Sequence, residues 1–81
     1  MNSPQIATRL ECIWLVARMA YWMLRQLWKP ANLKKGHWRQ DTYRYLRLRL
    51  YEESMELDKA PTWPEAADVA NFAAMIADLK F

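Results

Sequence analysis

The sequence predicts an all-α protein, a three-helix protomer whose second and third helices form an antiparallel hairpin. Two observations lead to this prediction. Apolar residues recur at alternating steps of three and four, which is the period of an amphipathic helix. The chain also has a single glycine, so it offers few places for tight β turns. At 81 residues, we expect one domain over residues 1–81.

The first predicted helix runs from about Gln5 to Trp28, with Ser3-Pro4 as its cap and first-turn proline and with Pro30 ending it. One stripe at helical spacing is apolar throughout: Ile6, Leu10, Ile13, Ala17, Ala20, Leu24 and Leu27. A domain of this size buries only roughly 60–65% of its unfolded surface, yet 53% of the residues are apolar. We therefore expect a partner subunit to cover part of the apolar surface.

The apolar run Cys12–Leu24 raises the question of a membrane helix or a signal peptide. It is shorter than the roughly 20 residues needed to cross a bilayer, and Arg18 lies near its middle. No small-residue cleavage site follows it. We expect a buried helix at a subunit interface and no membrane partner. The single Cys12 cannot form an internal disulfide, which is consistent with a cytoplasmic protein.

The second and third predicted helices lie on either side of a short, proline-containing loop. The second runs over about residues 38–59, after a loop at residues 31–37 that contains the only glycine. The third runs over about residues 63–80 and begins with a capping box of Thr62 and Glu65. Because the connection is short, we expect these two helices to pack antiparallel.

Two pairs of carboxylates, Glu53–Glu56 and Glu65–Asp68, predict a specific chemistry. Each pair is spaced i, i+3, so both side chains share a helix face. Glu53 and Asp68 take places in apolar stripes where an apolar residue is expected. A charge on a core seam costs about several kcal/mol unless it is paired or binds a metal. Since Mg²⁺ prefers carboxylate oxygens, the pattern predicts a magnesium site near the turn of the hairpin.

The same acids also fit two roles that need no metal. Glu65 lies in the first turn of the predicted helix, where an acidic side chain is stabilised by the positive end of the helix dipole. An ion pair would equally satisfy Glu53 and Glu56, and the sequence offers three candidate partners: Arg18, Arg25 and Arg49. The spacing by itself therefore leaves the metal site, the helix cap and the ion pair open.

Several kinds of catalytic and binding site are missing from the sequence. His37 is the only histidine, and the chain has no zinc ligand set and no glycine-rich phosphate loop. The net charge of +3 is divided between a basic part before Glu52 and an acidic part from there on. This division fits a polyphosphate–metal site or a set of unrelated solvated faces. We do not expect nucleic-acid binding, because no continuous basic face is formed by Arg39, Arg44, Arg47 and Arg49.

The segment Leu50-Tyr51-Glu52-Glu53-Ser54-Met55-Glu56-Leu57, followed by Glu65-Ala66-Ala67-Asp68-Val69-Ala70-Asn71, resembles the MazG-like family of all-α nucleoside triphosphate pyrophosphatases. The family pattern is Glu-Glu-x-x-Glu, a spacer and Glu-x-x-Asp. The resemblance extends from Trp38 to Asp78, about half of the chain.

This resemblance implies an enzyme that hydrolyses NTPs or dNTPs to NMP and pyrophosphate with Mg²⁺, Mn²⁺ being an alternative. It also implies self-association into a helical-bundle homo-oligomer, a dimer or tetramer, which agrees with the apolar surface of the first helix. The metal ligands that it implies are Glu53, Glu56, Glu65 and Asp68. Glu52 or Glu53 would activate the attacking water. The substrate contacts that it implies are Asn71 with the sugar or a phosphate, Trp38 with the base, and a phosphate-binding lysine among Lys34, Lys35 and Lys80.

Two departures from the family pattern leave a second function open. The spacer from Glu56 to Glu65 is short, and the sequence ends soon after the second motif, where many relatives continue with a helix that carries basic residues. Either a partner subunit completes the pocket, or the chain is a catalytically degenerate MazG-like module that binds nucleotide or a protein partner.

Overall fold

The computed structural model describes residues 6–80, and all of their regular structure is helical. Helix α1 spans Arg9–Leu27, α2 spans Pro30–Leu33, α3 spans Tyr43–Lys59 and α4 spans Trp63–Lys80. A 3-10 helix over Trp38–Gln40 precedes α3. The prediction of an all-α chain is confirmed.

The start of α1 differs from the prediction. Ile6 and Ala7 are not helical, and the helix begins at Arg9 rather than near Gln5. The reason is a capping box: Thr8 Oγ1 accepts a hydrogen bond from the Glu11 N–H at 3.1 Å, and Glu11 Oε1 accepts one from the Thr8 N–H at 3.0 Å. Ser3, Pro4 and Gln5, the predicted cap and start, lie outside the described residues.

The predicted second helix is divided in two. The 3-10 turn at Trp38–Gln40 ends at Asp41, and Thr42 then adopts an extended conformation, with φ −79° and ψ 152°. Thr42 Oγ1 accepts a hydrogen bond from the Tyr45 N–H at 3.1 Å, so Thr42 caps a new helix. In the preceding loop Gly36 has φ 87°, the positive angle expected of the only glycine.

Helix α4 lies at the centre of the fold, because it packs against both α3 and α1. Thr62 Oγ1 caps α4 by accepting from the Glu65 N–H at 3.4 Å, and the short loop before it turns the chain back. Leu46 of α3 and Ala67 of α4 are fully buried between the helices. Near the start of α4, the Trp63 ring lies edge-on to Trp14, with their centroids 6.2 Å apart.

Helix α1 is apolar on two opposite faces. The face toward α4 consists of partly or fully buried residues: Met19, Trp22, Met23 and Gln26. The apolar stripe identified in the sequence is on the other face. Apart from the half-buried Leu27 it is exposed in the single chain, with Leu10 78% and Ile13 63% exposed. A single chain contains no subunit interface, so the expected burial of this helix at such an interface stays a prediction. None of the described helices combines the length and the apolar character that a membrane crossing requires.

Replacing Leu46 with Ala is expected to lower the free energy of unfolding by about 2–5 kcal/mol, because it leaves a cavity at a fully buried position. Urea denaturation followed by circular dichroism measures the change. Leu48 belongs to the same helix but is exposed, so Leu48→Ala is expected to cost less than about 1 kcal/mol. Equal losses in the two variants would contradict this assignment of the core.

Candidate functional site

Three carboxylates from two helices meet near the turn end of the hairpin. Glu53 of α3 and Glu65 and Asp68 of α4 each offer an oxygen, and these oxygens lie within 4.8 Å of one another. The antiparallel packing of α3 on α4 produces this arrangement, since Glu65 and Asp68 are one turn apart on α4. Oxygen donors that lie about 2.0–2.6 Å from one ion are within roughly 5 Å of each other. The donor set therefore fits a hard divalent cation.

The fourth predicted ligand, Glu56, is not part of this group. Its side chain is exposed, and within the described residues only Glu53, Glu65 and Asp68 form a cluster of metal-ligand spacing. Glu56 still acts electrostatically, because its negative charge is one of the causes that raise the pKa of Glu53.

Glu53 is the electrostatic centre of the cluster. Burial raises the pKa of its carboxyl above the usual value, and the negative charges of Asp68 and Glu65 raise it further. Arg49 opposes this shift: its Nη2 lies 2.9 Å from Glu53 Oε1, while its Nη1 lies 2.6 Å from Glu52 Oε2. The Glu53 side chain is only 14% exposed, whereas Glu52 is 47% exposed. Of the two, Glu53 is the one held inside the site.

Of the three candidate arginine partners, only Arg49 pairs with these acids among the described residues. The Arg18 guanidinium lies over the rings of Trp14 and Trp63, at 5.4 and 4.9 Å from their centroids. The Arg25 guanidinium lies over aromatic rings of its own helix. Arg18 therefore helps to pack α1 against α4, whereas these contacts of Arg25 stay within α1.

Asp68 is oriented by Gln26, a residue that the sequence reasoning missed. Gln26 Nε2 donates a hydrogen bond to Asp68 Oδ1 at 2.9 Å, and the Gln26 residue is 7% exposed. The main-chain carbonyl of Gln26 accepts a hydrogen bond from Asn32 Nδ2 of α2 at 2.5 Å. The available signal was an amide near the end of the first helix, on the face opposite the apolar stripe. The hydrogen bond connects α1 directly to the carboxylate cluster.

Asn71 lies one turn beyond Asp68 and is 5% exposed. Its Nδ2 donates to the carbonyl of Met23 at 3.0 Å, and this contact fixes the orientation of the amide because a carbonyl can only accept. The Oδ1 atom is buried and accepts no hydrogen bond from any described residue. A buried acceptor without a donor costs about 1–3 kcal/mol, so Asn71 keeps an unused hydrogen-bonding capacity beside the cluster.

A cleft of about 970 Å³ opens beside the carboxylates, and Glu53, Asp68, Arg49 and Asn71 line it. Among the predicted substrate contacts, Lys35 and Trp38 also line the cleft. Lys34 is exposed and is not part of its wall, and the side chain of Lys80 lies outside the described residues. The volume is of the size that proteins use for small-molecule ligands.

Trp38 is held in the wall of the cleft by two contacts. Its Nε1 donates to Asp78 Oδ2 at 2.9 Å, and its ring stacks on His37 with a centroid distance of 4.1 Å. Asp78 Oδ2 also accepts from Arg39 Nε at 2.9 Å. The hydrogen bonds from Arg39 and then Trp38 lower the pKa of Asp78 to about 2. We name Trp38, Arg39 and Asp78 the Asp78 clasp, since together they fasten the 3-10 helix to the last turns of α4.

Comparison of the chain with protein-family models, with curated proteins and with solved structures found no match. The resemblance to the MazG-like family therefore stays a prediction that depends on the motif residues themselves.

Glu53→Gln is expected to stabilise the chain, relative to the natural protein, more at pH 7 than at pH 4. The pKa of Glu53 is raised by folding, so the natural chain loses stability as the pH rises from the usual value of 4.5 through the raised pKa. Glutamine has no such ionisation. Urea denaturation at the two pH values measures the difference. Glu52→Gln is the matched control, because it also removes a carboxylate partner of Arg49 but at an exposed position.

Proposed function

We propose that this chain is a Mg²⁺-dependent nucleotide pyrophosphohydrolase of the MazG-like class, which cleaves NTP or dNTP to NMP and pyrophosphate. One observation carries the proposal: Glu53, Glu65 and Asp68, three motif carboxylates from two helices, offer oxygens within 4.8 Å of one another. Two of them line a cleft large enough for a small molecule. Such an enzyme would act on the nucleotide pool of the cytoplasm.

Glu53, Glu65 and Asp68 would hold the metal ion. Bound Mg²⁺ would neutralise part of the phosphate charge and help water to displace pyrophosphate from the α-phosphorus. Gln26 supports this role by fixing one oxygen of Asp68 through a 2.9 Å hydrogen bond, which leaves the other oxygen to face the ion. Glu56 would become a fourth metal ligand only if its exposed side chain turned toward Glu53, Glu65 and Asp68.

The water-activating carboxylate is either Glu52 or Glu53. The position of Glu53 inside the cluster favours it, since Glu52 is largely exposed and points to Arg49. A carboxylate can accept the proton of the attacking water only if it lies within hydrogen-bond reach of that water. Glu53 would meet this requirement for a water held beside the metal ion at the carboxylate cluster.

The substrate would lie in the cleft with its phosphates toward the carboxylates. Arg49 and Lys35, which line the cleft, provide positive charge for the phosphates. Asn71 Oδ1, which lacks a donor, suits a sugar hydroxyl. Trp38 offers a ring for the base, although one side of that ring is already stacked on His37.

The activity is tested by measuring pyrophosphate release from a panel of NTPs and dNTPs in the presence of Mg²⁺ or Mn²⁺. We expect turnover by the natural chain and a loss of roughly 100-fold or more in Glu53→Gln, because this change removes a ligand or a base from the site. Asp58→Asn is the matched control, since Asp58 is an exposed acid of the same helix outside the cluster. It should keep full activity.

Failure of the natural chain to release pyrophosphate from any nucleotide, while it remains folded by circular dichroism, would contradict the hydrolase proposal. Calorimetry of the same sample with a nucleotide and Mg²⁺ identifies the alternative: binding without turnover indicates a catalytically degenerate module. Glu56→Gln, assayed alongside, shows whether the fourth carboxylate takes part in the reaction.

The guanidinium of Arg49 pairs with the Glu53 carboxylate, so it would compete with a metal ion for this ligand. In Arg49→Gln, Mn²⁺ should bind about fivefold more tightly, because a positive charge worth about 1 kcal/mol no longer competes for the carboxylate. The KM for nucleotide should rise at the same time. Isothermal titration with Mn²⁺ alone and steady-state kinetics measure the two effects. Arg47→Gln, whose guanidinium lies over Tyr43 instead, should change neither value.

A further inference from the structure

The five residues from His37 to Asp41 form one hydrogen-bonded turn between α2 and α3. The Gln40 N–H donates to the His37 carbonyl and the Asp41 N–H donates to the Trp38 carbonyl, both at 3.0 Å. His37 Nδ1 accepts a hydrogen bond from the Arg39 N–H at 3.1 Å, and the His37 ring stacks on Trp38. We name these five residues the Trp38 turn. Its internal contacts keep it together, so that it can move as one unit.

The backbone on each side of the Trp38 turn is suited to a hinge. Before the turn, Gly36 has φ 87°, a conformation that residues with a Cβ rarely adopt. After it, Asp41 and Thr42 are extended, with ψ 153° and 152°, before α3 begins. Hinges are a few residues in loops or at the ends of elements that absorb changes in φ and ψ. Rotation at these two places would move the turn without unfolding α2 or α3.

A single carboxylate holds the Trp38 turn against α4. Among the described side chains of α4, Asp78 accepts all three hydrogen bonds from the turn: Trp38 Nε1 and Arg39 Nε donate to its Oδ2 at 2.9 Å, and Arg39 Nη2 donates to its Oδ1 at 3.3 Å. The side chains of Arg39 and Asp78 are 65% and 36% exposed. Because exposed ion pairs stabilise only weakly, the Asp78 clasp can open while the core stays packed.

The Trp38 turn forms part of the wall of the cleft. His37, Trp38 and Asp41 line the same cleft as Glu53 and Asp68. Only Trp38 is half-buried, and the other four residues of the turn are exposed. Segments with few buried contacts are those that open locally at low cost. Rotation of the turn away from α4 would carry the Trp38 ring out of the wall and widen the cleft.

We propose that the Trp38 turn is a lid, which rotates at Gly36 and Thr42 and closes over the cleft when the Asp78 clasp forms. A ligand that touches the Trp38 ring gains this contact only in the closed state, so its binding shifts the lid toward closure. The hydrogen bonds from Arg39 and Trp38 lower the pKa of Asp78 to about 2. The clasp therefore keeps its charge near neutral pH, where salt weakens it by screening.

The rate at which the Trp38 indole N–H exchanges with solvent, measured by NMR, reports opening directly, because this N–H is bonded to Asp78 in the closed state. Asp78→Asn should speed this exchange about fivefold, since it removes the charge of an exposed ion pair. Sodium chloride at about 0.5 M should speed it in the natural chain. Asp58→Asn is the matched control, because Asp58 is an exposed acid near the other end of α3, and it should leave the rate unchanged. Trp38→Phe identifies the signal.

Gly36→Ala tests the hinge while the clasp stays complete. A Cβ at this position would have room, since its nearest neighbour is Gln40 Oε1 at 3.6 Å, but alanine is strained at φ 87°. The strain is present in the closed state, so we expect faster Trp38 exchange in this variant too. The indole N–H of Trp22 on α1 is the internal reference and should keep its rate in every variant.

Kinetics of ligand binding distinguish a lid from a wall that is only loose. Stopped-flow fluorescence with α,β-methylene-ATP and Mg²⁺, a probe that rests on the proposed function, measures the rates of binding and release. A lid held open in Asp78→Asn should raise both rates, whereas the loss of a contact alone would raise only the rate of release.

Unchanged Trp38 exchange in both Asp78→Asn and Gly36→Ala would overturn the lid. Equally faster exchange of Trp22 would overturn it too, because it would indicate unfolding of the whole chain, and so would an unchanged binding rate in Asp78→Asn. The absence of nucleotide binding in the natural chain and in Asp78→Asn would contradict the proposed function alone, since the exchange measurement needs no ligand and still decides the lid.

Discussion

The close approach of three negative charges is the constraint on which the rest of the structure depends. Glu53, Glu65 and Asp68 repel one another at the contact between α3 and α4, where the loss of solvent strengthens the repulsion. The fold offsets this cost with Arg49, which shares its guanidinium between Glu52 and Glu53, and with the Gln26 amide on Asp68. Apolar residues at these three positions would pack between the helices without this repulsion.

Helix α1 connects the site to the surface of the molecule. It makes two hydrogen bonds with α4, one from a side chain and one to a carbonyl, although more than 40 positions of the chain separate the partners in each. Its other face exposes Leu10, Ile13 and Leu24.

The sequence predicted the elements whose evidence is local and missed those that depend on distant contacts. Periodicity placed Glu53 and Asp68 on the hairpin, because both acids interrupt an apolar stripe, and the start of α4 followed from Thr62. The break before α3 was missed, although Thr42 is a good helix cap and the apolar stripe of this helix begins only at Tyr43. Gln26 could not be predicted as a partner of Asp68, since 42 positions separate them and no local pattern records which helices pack together.

The Asp78 clasp links the last turns of α4 to the mouth of the cleft. The Asp78 carboxylate receives hydrogen bonds from both Trp38 and Arg39, and these side-chain bonds tie the connection between α1 and α3 to α4. The wall of the cleft is therefore attached to the last turns of α4. These turns lie at the end of the hairpin far from the loop between α3 and α4. Asp78 is remote from the carboxylate cluster, so a substitution there would loosen the wall of the cleft while leaving the three acids in place.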